Sequence, residues 1–367
     1  MRIINVKLGE RSYRIIIGHR IISYVECHLQ KLKFTQLQAV VLTNRSILSA
    51  HRDYISQGFK GVKNCHFIVL PATERTKSWE VLLRITRKIF SIENKGDIFL
   101  VAFGGGVIGD ITGFCAAIYK RGIPYIQIPT TLLGMVDSGI GGKTAIDLEF
   151  GKNLMGAFYQ PRLVFVDLKF LETLPLKEIK NGISEIVKYG IIIEREIFDL
   201  LEKRTSEILK FKPRQWFSLV TKCAKIKAEI VEKDELDNKG LRAILNFGHT
   251  IGHAVESAMD YVDISHGQAV ALGMVTESIL AEKFNMLSSS ALARILNLII
   301  SLDILPRSKA LPSSSKIISR LKYDKKARLG KLKFVLPVKI GKVKIVDAPS
   351  QKIIRESLQE AIRLCTR

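Results

Sequence analysis

Three of the chain's seven histidines lie close together, two in Asn246-Phe-Gly-His249-Thr-Ile-Gly-His253 and one in His266-Gly-Gln. Upstream, a helical stretch Glu185-Ile-Val-Lys188 offers a carboxylate. Two imidazoles and one carboxylate from separated segments are the donor set of an open catalytic zinc site, which takes three protein ligands and keeps a fourth position for water or substrate. His249 and His253 are four apart and share one face of a helix. That spacing lets both bind one metal, or lets one bind while the other moves protons. A lone histidine would read as a hydrogen-bonded surface or core residue. Three of them, flanked by glycine beside an apolar helix, favour chemistry.

A second group is built for anions. Gly104-Gly-Gly-Val-Ile-Gly-Asp110 stands between an apolar strand and a helix, where glycines let backbone amides approach a pyrophosphate at a helix N-terminus. The acid that a Rossmann ribose contact places ~20 residues further on is absent, since nothing acidic lies between Asp110 and Asp137. The turn is therefore not the standard dinucleotide fingerprint, although nucleotide binding explains it better than packing alone. Gly142-Lys143-Thr144 suggests a P-loop, but the leading glycine of that motif would fall on Asp137. What remains is a flexible loop delivering Asp137 and Lys143, followed by Gly151-Lys152-Asn153. Lysines converging from loops suit a phosphate or carboxylate ligand.

These residues need a frame. Before residue 173 strands and helices alternate. Met1–Leu8 reads as a first strand and not as a cleavable signal. Strands are expected at 38–43, 66–70, 97–103, 125–129 and 163–167, with helices at 78–90 and 111–119. This alternation predicts an α/β sheet with parallel pairings. After 173 the pattern is helical, at 177–190, 194–210, 213–234, 241–259, 267–285 and 289–302, closed by a hairpin (333–337 and 342–346) and a last helix from about Gln351. The expected domains are 1–172 and 173–367.

The 367 residues carry 47% hydrophobic and 25% charged side chains, a composition ordinary for a soluble two-domain enzyme. No apolar run approaches the ~20 residues of a membrane helix. Five dispersed cysteines without a C-x-x-C pair point to reduced thiols and a cytoplasmic setting. Lys and Arg exceed Asp and Glu by 57 − 35 = 22. The densest region, Lys309–Lys344, has twelve basic residues against Asp324 alone, with no regularly interleaved aromatics. It reads as a solvated face, with no nucleic acid and no membrane as partner.

Taken in order, the motifs resemble the 3-dehydroquinate synthase family of sugar phosphate cyclases, from about Leu70 to Val346. The resemblance rests on Gly104–Asp110, Arg121-Gly, Pro129-Thr-Thr-Leu-Leu, Val136–Thr144, Gly151–Pro161, Glu185–Gly190, Gly240–His253, His266-Gly and Asp324-Lys-Lys326. It implies a Rossmann-like, mostly parallel α/β domain binding NAD, then an α-helical domain carrying zinc or cobalt, with the active site between them. Glu185, His249 and His266 match the metal ligands. His253 matches the acid/base histidine, and Asp237, Lys143 and Lys188 match further catalytic positions. Arg121, Asp137, Lys143, Asn153, Lys188, Lys227, Arg242, Asn246, His253 and Lys326 match substrate contacts, Arg121 reaching the substrate phosphate from a neighbouring subunit of a homodimer. NAD contacts match Ala72, Thr73, Glu74, Arg75, Thr76 and Lys77, then Gly106, Val107, Ile108, Gly109 and Asp110. They continue at Thr130, Thr131, Lys143, Lys152, Phe170, Leu171, Glu172 and Thr173.

Three departures stand out. Thr73-Glu-Arg-Thr-Lys-Ser replaces the usual Gly-Glu-Gln-x-Lys-Ser, Gln268 stands where Glu usually follows His-Gly, and one extra residue between Lys227 and Arg242 shifts the acid now matched by Asp237. The implied reaction converts 3-deoxy-D-arabino-heptulosonate 7-phosphate to 3-dehydroquinate and phosphate, by transient oxidation at C5, phosphate elimination, return of the hydride, ring opening and aldol closure. The competing readings are another sugar phosphate cyclase, a metal-dependent alcohol dehydrogenase and a basic nucleic-acid-binding protein.

Overall fold

A computed structural model describes residues 1–93, 96–210, 213–307, 311–321 and 332–365. Asp324-Lys325-Lys326, and with it the substrate contact expected at Lys326, lies outside the described residues, as does part of the basic Lys309–Lys344 run.

The chain divides into two compact units, Met1–Pro175 with Pro213–Leu236, and Leu176–Lys212 with Asp237–Arg367. The division differs from the one expected at 172/173, because segment 213–236 folds back onto the first unit.

The first unit is built on seven strands: β1 (Arg2–Val6), β2 (Tyr13–Gly18), β3 (Gln38–Asn44), β4 (Asn64–Leu70), β5 (Ile98–Gly104), β6 (Tyr125–Pro129) and β9 (Leu163–Asp167). Between β6 and β9 a separate antiparallel hairpin forms from β7 (Lys143–Leu148) and β8 (Gly151–Phe158). The sheet order is β1-β2-β9-β6-β5-β3-β4, parallel throughout except for β1 on β2. Its helices are α1 (Val25–Lys31), α2 (Arg45–Ser56), α3 (Trp79–Glu93), α4 (Gly106–Ile118) and α8 (Pro213–Lys233). Strands β3, β5, β6 and β9 are buried along their whole length, which is why they read as unbroken apolar runs and not as alternation. On one face α3 (Val81, Leu82, Ile85, Ile89) and α4 (Ile108, Ile111, Phe114) close the core.

The second unit is helical: α5 (Leu176–Ile192), α6 (Arg195–Lys203), α7 (Thr205–Ile208), α9 (His249–Ala258), α10 (His266–Lys283), α11 (Ser289–Ser301), α12 (Ser314–Arg320) and α13 (Gln351–Leu364), with the hairpin β10 (Lys333–Lys339) and β11 (Lys342–Asp347). Helix α10 is buried on nearly every side, the mark of a central helix; α5, α9, α11, α13 and β10 pack around it.

Several expectations need correction. The helix expected at 111–119 begins at Gly106, because the glycine turn itself forms its first turn behind the N-cap Gly105. The loop expected to carry Lys143, Lys152 and Asn153 is the β7–β8 hairpin. The helix expected at 194–210 breaks at Arg204, and that at 241–259 is a 3-10 turn, Leu241–Asn246, followed by α9. Among the described residues no helix is long and apolar enough to cross a membrane, and the five cysteines are free thiols.

Candidate functional site

In the second unit the separated donors meet. Glu185 comes from the middle of α5 and is fully buried, while His249 and His266 are the first residues of α9 and α10. One donor atom from each lies within 4.8 Å of the others. His249 Nε2 is 3.5 Å and His266 Nε2 3.7 Å from Glu185 Oε1. Zinc–nitrogen and zinc–oxygen bonds of ~2.1 Å at tetrahedral angles put ligand atoms roughly 3.4 Å apart, so the set fits a divalent metal. The remaining ring nitrogens point at acceptors: His249 Nδ1 is 3.2 Å from the Phe247 carbonyl and His266 Nδ1 is 3.6 Å from Glu256 Oε2. A proton held on Nδ1 leaves Nε2 as the metal donor, the usual outer-sphere arrangement.

The local sequence fixes those helix starts. Ser265 and Gln268 form a capping box ahead of α10, so Gln268 closes the turn where the family usually places Glu. The Gly267 amide donates to Asn181 Oδ1 of α5 at 2.6 Å, one turn before Glu185. The two ligand imidazoles are electrostatically unlike. Burial, aided by the Lys188 charge, drives His249 well below the ordinary histidine range. Burial acts the same way on His266, but the neighbouring Glu185 and Glu256 carboxylates outweigh it and push that ring up to about 10. Lys188 is buried and ion-paired with Glu185. His253 is exposed, its ring centroid 5.3 Å from that of His249 and 6.3 Å from that of His266. Arg242 is buried, Asn246 ends the 3-10 turn, and Asp237 adopts a left-handed φ of 53° after α8.

In the first unit the chain after β4 turns back to β5 on the other side of β3, so the strand order reverses between β3 and β5. In open α/β sheets ligands bind beyond the strand ends at such a reversal, and Gly104–Gly106 and the start of α4 stand there. A Cβ on Gly105 would lie 2.8 Å from Thr131 Cγ2, and the Thr130 amide donates to the Gly104 carbonyl at 3.0 Å. Beside this turn a buried Lys77 ammonium donates to Asp110 Oδ2 at 2.8 Å and to Asn153 Oδ1, with Glu74 at 3.6 Å and Asp147 at 3.8 Å. Lys152 lies 3.6 Å from Glu74. Burial raises the Asp110 carboxyl to about 6 against the pull of Lys77.

Among the other expected contacts, Thr76 is buried, while Ala72, Thr73 and Arg75 are exposed around it. Val107 and Ile108 open α4, and Gly109 lies within it. Phe170 and Leu171 are buried in a 3-10 turn after β9 that also carries Glu172 and Thr173, where His51 Nε2 is 2.8 Å from Thr173 Oγ1. Asp137, on a π-helical turn, accepts from Lys227 of α8 at 2.7 Å. Lys143 and Arg121 are exposed. The sequence reading missed Asp147, Asn181 and Glu256. Asn181 precedes Glu185 by one turn and Glu256 follows His253 by three residues, so helical spacing was the available signal.

This architecture is shared. A solved 2-deoxy-scyllo-inosose synthase superposes with a TM-score of 0.88 over 98% of this chain and 100% of its own, at 24% identity. A 2-epi-5-epi-valiolone synthase from Streptomyces hygroscopicus subsp. jinggangensis 5008, solved with NAD+ and Zn2+, gives 0.87 at 25% identity over 99% of both chains. The fold is that of the sugar phosphate cyclases. Family models described as 3-dehydroquinate synthase N-terminal and C-terminal match residues 67–181 and 182–327. A 3-dehydroquinate synthase of Nostoc punctiforme (strain ATCC 29133 / PCC 73102) is 41% identical over 366 residues, covering 97% of this chain and 99% of the relative. The chain belongs to the 3-dehydroquinate synthase family.

Proposed function

We propose that this family member is a phosphate-eliminating lyase, dependent on NAD and a divalent metal, that converts 3-deoxy-D-arabino-heptulosonate 7-phosphate to 3-dehydroquinate in the cytoplasm. The observation that carries the reading is the Glu185–His249–His266 cluster in a chain so similar to 3-dehydroquinate synthases along its length. Those three residues would hold zinc or cobalt. Bound NAD supplies a reversible hydride acceptor, and the metal supplies Lewis-acid polarisation of an alcohol oxygen.

The chain's own residues do the rest. The first unit binds the dinucleotide through Glu74 to Lys77, the glycine turn to Asp110, Thr130, Thr131, Lys152 and Phe170 to Thr173. Asp137, Lys143, Asn153, Lys188, Lys227, Arg242 and Asn246 bind and orient the substrate, cations and amides meeting its phosphate, carboxylate and hydroxyls. His253 moves the proton, being exposed beside the two ligand imidazoles, with Asp237 in support.

Homodimerisation is supported by the apolar side chains of Leu154, Met155 and Phe158, which stand exposed on β8; a strand edge of that kind invites pairing. Arg121 would serve the partner's site. The test is phosphate release from the heptulosonate phosphate by protein stripped of metal with a chelator. Activity restored by Zn2+ or Co2+ together with NAD is expected; full turnover in the stripped protein would refute the reading.

A further inference from the structure

Helix α9 begins without a cap of its own. Its N-cap is Gly248, which has no side chain to accept from the free amides of the first turn, and those amides need partners when buried. No capping residue can be put there. Gly248 has φ +77°, and a Cβ would lie 2.6 Å from Met274 Cγ and 2.7 Å from the Val270 carbonyl, both on α10. The cap comes instead from Glu277, three turns into α10. Its Oε2 accepts from the Gly248 amide at 2.7 Å, and the nearby Ile251 amide favours its charged form.

Glu277 is fully buried between the buried hydroxyl residues Thr276 and Ser278, and among the described residues its Oε1 has no hydrogen-bond partner. A carboxylate in such a place is costly, and burial pushes this carboxyl well above the ordinary range. Helix α10 carries His266 at its first residue, and through Glu277 it also holds the residue preceding His249.

We propose that Glu277 is a positioning residue for the metal centre, fixing His249 relative to His266 by capping α9 from α10. The proposal rests on the metal reading above. Outer-shell partners of metal ligands are worth ~10–100-fold in metal affinity. Glutamine reproduces its shape and keeps a carbonyl acceptor for Gly248, whereas leucine keeps the volume and loses the acceptor. Aspartate keeps the group but falls one methylene short.

The experiment measures Zn2+ affinity by chelator competition, and the visible absorption spectrum of the Co2+ form, for the wild type, Glu277→Gln, Glu277→Asp and Glu277→Leu, with thermal unfolding of each metal-free protein alongside. Expected are near wild-type affinity in Glu277→Gln, a loss of ~10–100-fold in Glu277→Leu and a smaller loss in Glu277→Asp, with altered Co2+ bands in the last two. If Glu277→Leu does not fold, the contrast between Gln and Asp carries the test. Unchanged metal affinity and spectra in the Leu and Asp variants, whatever their melting temperatures, would overturn the proposal, as would Gln failing like Leu. A wild type that binds no metal would overturn the metal reading itself and this inference with it.

Discussion

In the first unit the polar site is made by turns that follow strands. In the second it is made by the first residues of two helices, facing a third. The Lys77 group is a set of mutually compensating charges: one buried ammonium among Asp110, Asp147 and Glu74, with Asn153 as an added acceptor. The Glu185 group concentrates nitrogen and oxygen donors whose proton affinities diverge, His249 pushed down and His266 pushed up. The first arrangement is held together by its own ammonium and needs no ion to complete it. The second suits a cation that displaces protons, so metal affinity should rise with pH as the Nε2 proton of His266 is given up.

That contrast breaks most severely at the ligands. Replacing Glu185, His249 or His266 by alanine should abolish metal binding and turnover together, by far more than the ~10–100-fold an outer-shell residue is worth. Elemental analysis of the purified variants checks this, and full occupancy in all three would remove the ligand assignment. His253→Ala should retain metal while kcat falls ~10²–10⁴-fold, the usual worth of general acid–base help. Metal loss matching that of His249→Ala would make His253 a ligand instead.

In the first unit the expected damage is to stability and cofactor affinity. Lys77→Met leaves the half-buried carboxylates of Asp110 and Asp147 without their cation, a change that costs less than the ~3–5 kcal/mol of breaking a fully buried pair; chemical denaturation and NAD titration should register both losses, with Zn2+ affinity unaltered. The smallest effect is a pH dependence. Burial pushes the folded Asp110 carboxyl up to about 6, above its ordinary 3.8. A raised folded value means stability present below pH ~4 and lost as pH rises through about 6. The stability of the wild type relative to Asp110→Asn should therefore decline between those limits; a flat difference would show that Asp110 is not held in the raised state.

How legible these two sites were in the sequence follows from how they are built. The clustered histidines and Glu185 announce themselves by residue type, the choice of His249 and His266 among them came from the family resemblance, and the buried parallel strands show as unbroken apolar runs. The break before α9 was hidden, because Gly248 within a helical pattern is tolerated locally; what demands it is the closeness of Met274 and Val270, a long-range fact. Glu277 left a weak trace, one acid inside Ala271–Ala281, eleven residues after His266 and so on the same face of α10. Helix α2 escaped notice because its apolar residues make no long stripe, and only His51 and Ile55, one turn apart, are buried. The β7–β8 hairpin escaped because β8 is largely exposed and lacks the alternation that marks a half-buried strand. Asp147 was lost with it.

The central claim is that one chain joins a dinucleotide turn to a metal centre in order to borrow a hydride and return it. Phosphate release and the absorbance of reduced nicotinamide, followed together over many turnovers with 3-deoxy-D-arabino-heptulosonate 7-phosphate, test it most directly. Phosphate should accumulate steadily while reduced nicotinamide stays below the enzyme concentration. Reduced nicotinamide accumulating in step with product would make the chain a dehydrogenase and contradict the account.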